Sequence, residues 1–190
     1  LAEKTIPMEE RADQPFSFIL PQRVAMELAR VLADKNEVVV TVGDSQALFE
    51  TDGIKIISRL VEGAFPEYGG IIPKQFGVSS FLKRDEVTAA VRSSSIFSSR
   101  IQEVVLNFRE KFLEISSNNT EIGEQKISLP ASTTGNEIKI SFNYRYLLDG
   151  VLSIDEDELF IGVNNESAPS LLRGKSDSSF LYVLMPIRLT

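Results

Sequence analysis

Phe16-Ser17-Phe18-Ile19-Leu20-Pro21-Gln22-Arg23-Val24-Ala25-Met26-Glu27-Leu28-Ala29-Arg30-Val31-Leu32 changes its periodicity at Pro21, and the rest of the chain is read from that change. Before the proline, Phe16, Phe18 and Leu20 alternate, as they do on one face of a strand. After it, Val24, Leu28, Val31 and Leu32 recur every three or four residues, which is one face of a helix. Proline suits a first helical position, because its fixed φ is helical and the amide it lacks would have had no partner there. Val38 to Val42, a Gly43-Asp44 turn, Ala47 to Glu50, an Asp52-Gly53 turn and Ile54 to Val61 then read as three strands joined by tight turns. The predicted unit is a strand, a helix and a three-stranded meander.

The same order recurs twice. Ile138 to Phe142, a helix from about Asn143 to Leu152, the acidic turn 155–158, then Leu159 to Val163, Ser170 to Leu172 and Phe180 to Leu189 form one copy. Between the two lies another, with a helix expected from Phe81 to Ser98, followed by Glu103 to Phe108, Lys111 to Ser116 and Glu124 to Leu129. Pro21, Lys83 and Asn143 mark corresponding points at nearly constant spacing, so element order repeats although identity between copies is weak. One helix covers only one face of a small sheet, so two units side by side make the natural folding domain. The fold class is therefore α+β, with about one and a half domains divided as 1–73 and 74–190. The second and third copies pair. The first lacks its mate, residues 1–10 read as the last strand of a preceding unit, and a leading leucine in place of methionine suggests a missing beginning. A single α+β domain with two similar halves is the competing reading, and it leaves that leading strand unexplained.

Composition removes most chemistry. With 190 residues, 43% hydrophobic and 25% charged, the chain is in the ordinary globular range. It has no cysteine, which excludes disulfides, thiolate zinc sites and cysteine nucleophiles, and no histidine, which excludes the histidine-based triads and metalloprotease motifs. Neither a Gly-x-Gly-x-x-Gly helix opening nor a phosphate-cradling Gly-Lys-Ser loop is present, so no cofactor is expected. Asp155-Glu156-Asp157-Glu158 lacks calcium-loop spacing and reads as a solvated turn. Asn118-Asn119-Thr120 and Asn165-Glu166-Ser167 read as exposed turns. A carboxylate-dependent hydrolase using Asp44, Glu50 and Asp52 is the one enzyme reading left, and divalent-metal binding there would be its mark. The formal charge of −7 leaves room for a local basic face. No apolar run approaches the roughly 18 residues that span a bilayer, and a cytoplasmic protein is expected.

Four segments in order carry a resemblance to the bacterial DNA-polymerase sliding clamps. Leu1-Ala2 resembles the end of a Thr-Asp-Gly-x-Arg-Leu-Ala segment. Ser58-Arg59-Leu60-Val61-Glu62-Gly63-Ala64-Phe65-Pro66-Glu67-Tyr68 with Ile72-Pro73-Lys74 resembles the exit of the clamp middle domain. Phe142-Asn143-Tyr144-Arg145-Tyr146-Leu147-Leu148-Asp149 resembles the start of the last helix, and Tyr182 to Leu189 the terminal strand. The resemblance runs along nearly the whole chain and places it as the second half of the middle domain followed by the C-terminal domain.

It implies a non-catalytic processivity factor whose subunits close head to tail into a dimeric ring around duplex DNA. The helices of such a ring face the DNA without reading its sequence, which here points to Arg23, Arg30, Lys83, Arg84, Arg92 and Arg145. Arg23 and Arg30 share a helix face that only Glu27 interrupts. Polymerases, clamp loaders and repair proteins are implied partners, bound through short Gln-Leu-x-Leu-Phe-type peptides in an apolar cleft. The matching positions are Leu1, Pro73, Val78, Asn143, Tyr146, Ser170, Val183, Met185, Pro186, Ile187, Arg188 and Leu189. Ring closure maps onto Ile96 and Phe97 with an acidic edge at Glu121 and Glu124. Without the partner surface of a first domain, the chain is expected to be mainly monomeric. An isolated clamp fragment that binds such peptides without encircling DNA is the alternative within the same resemblance.

Overall fold

In the computed structural model, which describes residues 1–7 and 16–188, strand β1 (Ala2–Lys4) pairs antiparallel with the last strand of the chain, Ala2 opposite Tyr182. The described residues divide into two compact units, 16–67 and 1–7 with 68–188.

In the smaller unit, helix α1 (Gln22–Leu32) turns Val24, Leu28 and Leu32 toward Ala47, Phe49, Ile56 and Leu60 of an antiparallel sheet. The sheet runs β2 (Val39–Val42), β3 (Gln46–Thr51), β4 (Ile54–Arg59) in that order. The expected strand at Phe16–Leu20 is not one. That segment is extended, Ile19 accepts a hydrogen bond from the Val61 amide at 2.9 Å, and Phe18 and Leu20 pack into the small core. Alternation there reports burial of one face without ladder pairing.

The larger unit holds β5 (Val78–Lys83), α2 (Arg84–Ser95), β6 (Glu103–Phe108), β7 (Phe112–Asn119), β8 (Gly123–Pro130), β9 (Ser132–Gly135), β10 (Ile138–Asn143), α3 (Tyr144–Leu152), β11 (Glu158–Val163), β12 (Ser170–Gly174) and β13 (Phe180–Leu184). They form two sheets, ordered β1-β13-β12-β11-β5-β9 and β10-β6-β7-β8. The two copies exchange their first strands: β11 pairs with β5, and β6 pairs with β10. Neither meander is thus completed by its own copy, and both contribute to one core, with Val87 and Val91 of α2 and Leu147 and Val151 of α3 packed among Leu106, Phe108, Ile115, Phe142, Ile161 and Leu172.

Two boundaries differ from expectation. The second helix begins at Arg84, because 78–83 is strand: Val78 and Leu82 enter the main core while Phe81 packs on the opposite face. The terminal strand stops at Leu184. Pro186 has no N–H with which to extend a ladder, and the chain crosses to the other sheet, where the Ile187 amide donates to the Ser141 carbonyl of β10 at 2.7 Å. The tail thereby links the two sheets. Among the described residues no helix is long and apolar enough to cross a membrane.

Candidate partner-binding surface

The six-stranded sheet has apolar side chains on both faces, since alternate residues of β11, β12 and β13 point away from the main core. Phe160, Leu171 and Val183 form a second buried cluster there, and Ile72, Phe76, Phe81 and Leu181 pack against it. Phe160 meets Phe76 and Phe81 at centroid separations of 5.3 and 5.4 Å, and the Arg173 guanidinium lies 4.5 Å from its ring centre. Gly162 makes this possible. A Cβ on it would fall 2.4 Å from the Phe76 ring, so only glycine lets that ring lie on β11 and hold the loop that carries Pro73. Leu1 flanks Val183 through two hydrogen bonds, its ammonium donating to the Val183 carbonyl at 3.0 Å and the Val183 amide donating to the Leu1 carbonyl at 2.8 Å. Met185 follows, 55% exposed, beside half-buried Pro186 and Ile187.

The positions expected to form one pocket are therefore divided. Leu1, Val183, Met185 and Pro186 gather at the C-terminal end of β13, where Val183 shares its cluster with Ile72 and Phe76. Val78 and Ser170 lie in the same sheet but on its helix side, Val78 in the main core and Ser170 fully buried with no hydrogen-bond partner for its Oγ. Asn143 caps α3, accepting the Arg145 amide at 3.0 Å, and Tyr146 stands 58% exposed on that helix. Arg188 is exposed beyond the bridge at Ile187, and Leu189 lies outside the described residues. Sequence reasoning missed Phe76 and Phe160, whose rings pack together in the cluster that holds Val183. The signal for Phe160 was the apolar residue at every position of Leu159-Phe160-Ile161, the mark of a strand buried on both faces.

The six candidate DNA-facing cations also separate. Arg23 and Arg30 are both exposed on α1, but Arg30 donates to the intervening Glu27 at 3.1 Å. That hydrogen bond holds the Glu27 carboxyl below its usual range and the Arg30 guanidinium above its own. Lys83 lies 3.4 Å from Glu86. Arg84 is mostly enclosed: it donates to the carbonyls of Ile154 at 2.9 Å and Asp155 at 3.4 Å and to Asp85, fastening the start of α2 to the turn after α3. Arg92 and Arg145 instead line one depression of about 470 Å³ together with Asn143 and Tyr146.

The expected interface residues do come together. Ile96 follows α2 and is 67% exposed, and the half-buried Phe97 ring lies 3.9 Å from where a Cβ on Gly123 would stand, at the β7–β8 turn beside Glu121 and Glu124. Ile101 and Ile122 are also exposed nearby in the chain, and among the described residues β8 is a free edge of its sheet. Two of the three residues of the hydrolase reading are otherwise engaged: Glu50 pairs with Lys55, and Asp52 with Lys35 at 3.6 Å.

Repeated helix-plus-meander units, exchanged first strands and two helices packed over two sheets define an α+β fold of the DNA-clamp class. Family models agree along the chain: that for the DNA polymerase III beta subunit, C-terminal domain, matches residues 70–188, and that for its central domain matches residues 1–67. The chain belongs to the DNA polymerase III beta subunit family. The beta sliding clamps of Staphylococcus epidermidis and Staphylococcus aureus are each 27% identical to it over 192 residues, covering 99% of this chain and 51% of the relative. The crystal structure of the Bacillus subtilis DNA polymerase sliding clamp superposes with a TM-score of 0.94 at 25% identity, covering 100% of this chain and 51% of that one. A Bartonella birtlesii DnaN sliding clamp gives 0.89 at 29% identity over 96% of this chain and 54% of its own. The chain spans about half the length of the curated relatives it matches.

Proposed function

We propose that this chain is part of a replication processivity factor, a non-catalytic sliding clamp of the cytoplasm that holds a polymerase on duplex DNA. What carries the reading is that two clamp-domain models match in the clamp's own order and that the fold agrees over the full chain. Residues 1–73 would be the second half of the middle domain and 74–190 the C-terminal domain, and the gap between the two matches, 68–69, supports a boundary close to there. Exposed Arg23 and Arg30 would offer diffuse attraction to phosphates, of the kind that weakens steeply as salt rises. The free β8 edge and the apolar surface at Ile96 and Phe97 would meet a neighbouring subunit of a head-to-tail ring, where an open edge finds its missing strand.

Partner proteins would dock by a short apolar peptide at the outer end of β13. The support is an exposed, adaptable Met185 set beside Pro186 and next to the Leu1–Val183 pair, a surface able to repack around different anchors. Fluorescence anisotropy with a labelled Gln-Leu-Ala-Leu-Phe peptide tests this. Binding should weaken at least about tenfold in Met185→Asp, since a carboxylate would have to be desolvated beneath an apolar anchor. Equal binding by both proteins, or none by either, would sink the proposal.

A further inference from the structure

We infer that the depression between the end of α2 and the start of α3 receives an acidic residue flanking the apolar anchor of a partner peptide. This rests on the peptide-docking reading above and assigns the partner a charge pattern. Arg92 and Arg145 both line the depression, and among the described residues neither lies within ion-pair distance of a carboxylate. Arg145 is held over its own neighbour, donating to the Tyr144 hydroxyl at 3.4 Å with its guanidinium 5.9 Å from that ring, which positions the cation without neutralising it. Four other cations of this unit are engaged by carboxylates, Arg84 with Asp85, Arg109 with Glu137, Lys126 with Glu114 and Lys175 with Glu158. Two guanidiniums without an ion pair on one concave wall match a carboxylate in geometry as well as in sign.

The depression and the tail share strand β10. Asn143, which lines the depression, closes the strand whose Ser141 carbonyl holds Ile187 of the tail. The remaining lining favours a peptide over a nucleic-acid backbone: Tyr146 and Leu152 are exposed apolar surface, and Asp149 would repel a run of phosphates while tolerating a single carboxylate placed at the arginines.

The test uses labelled Gln-Leu-Ala-Leu-Phe peptides extended by Asp-Asp or by Lys-Lys, at either end, titrated against this chain and against Arg92→Glu/Arg145→Glu. At one end the aspartate-flanked peptide should bind about 3- to 10-fold tighter than its lysine counterpart, with an advantage that shrinks as salt rises and reverses in the double variant. That preference opposes what the chain's net charge of −7 alone would give. Equal or tighter binding of the lysine peptides at both ends overturns the inference, as does an aspartate advantage that survives the double substitution. If peptide binding ignores the two arginines while a DNA oligonucleotide loses affinity in the variant, the cations serve nucleic acid and the inference is likewise wrong. Failure of every peptide, the unflanked one included, removes the docking reading itself and this one with it.

Discussion

Asp177 shows how one side chain fixes the entry strand. It accepts the Ser179 amide at 2.7 Å and the Lys4 ammonium at 3.1 Å, and Lys4 also reaches the Ser179 hydroxyl at 2.8 Å. Hydrogen bonding from Ser179, and then from Lys4, lowers its carboxyl pKa to about 2. A depressed folded-state value means that the carboxylate stabilises the fold above the unfolded pKa of roughly 3.9, and that this contribution is lost as pH falls toward 2. Protection of the Thr5 amide, which donates to Ser179 at 2.7 Å, should hold from neutral pH to about 4 and then decline, after correction for intrinsic exchange. Asp177→Asn should lower the neutral plateau and remove this residue's share of the acid step. An acid step of unchanged size in that variant would mean that other carboxylates account for it. The sequence offered no sign of this clasp, since its partners lie 173 and 175 positions apart and only the β1–β13 pairing joins them.

Among the elements, α3 and β13 meet more closely than ordinary side chains allow, and a glycine makes the contact. A Cβ on Gly150 would stand 2.5 Å from Cδ1 and 2.8 Å from Cε1 of the Tyr182 ring. In a free helix Gly→Ala gains about 1 kcal/mol, but here the methyl would overpack a half-buried ring, at a cost of about 1–3 kcal/mol. Gly150→Ala should therefore lower the stability of the larger unit in chemical denaturation. In a Tyr182→Ala background the same change should turn stabilising by about 1 kcal/mol, and a substitution with the same sign in both backgrounds would refute the contact as its cause. The helix itself was legible from the repeated element order, and Asn143, where it was expected to begin, caps it. Strand β5 was not. Phe81 and Leu82 fit the strand period of two and also the apolar stripe of the helix that follows, and no turn residue separates them from Arg84. The tail was misread for a related reason: its apolar alternation continues past Leu184, whereas Pro186 ends the ladder. For the site, the clamp resemblance marked Val183 and Met185 to Ile187 along with distant positions, but the face on which each distant position falls, Ser170 or Val78, depends on register in a sheet whose neighbours come from the other copy.

Across the whole molecule, the repeat spacing announced three copies, but it could not announce that two of them would exchange first strands, since that pairing is non-local in both directions. The exchange predicts unequal stability. In the larger unit it ties both copies to one core running from Val78 to Leu184, with interior strands β6, β7, β11 and β12 paired on both sides. The smaller unit has one copy, a three-stranded sheet whose outer strands β2 and β4 each pair on one side only among the described residues, and a cluster in which Leu28, Ala47 and Phe49 are the buried members. Leu28 and Phe49 each contribute about 1.5–3 kcal/mol by leaving water and Ala47 less, whereas ordering each backbone residue costs roughly 1–2 kcal/mol. A lone helix on a small sheet is accordingly marginal. Native-state hydrogen exchange along a urea series should show the amides of β2, β3 and β4 losing protection at clearly lower denaturant than those of β6, β7 and β11. Leu28→Ala should lower the first midpoint and leave the second in place, because it opens a cavity only in the smaller core. A common midpoint for all six strands, displaced as one by Leu28→Ala, would show instead that the chain unfolds as a single cooperative body.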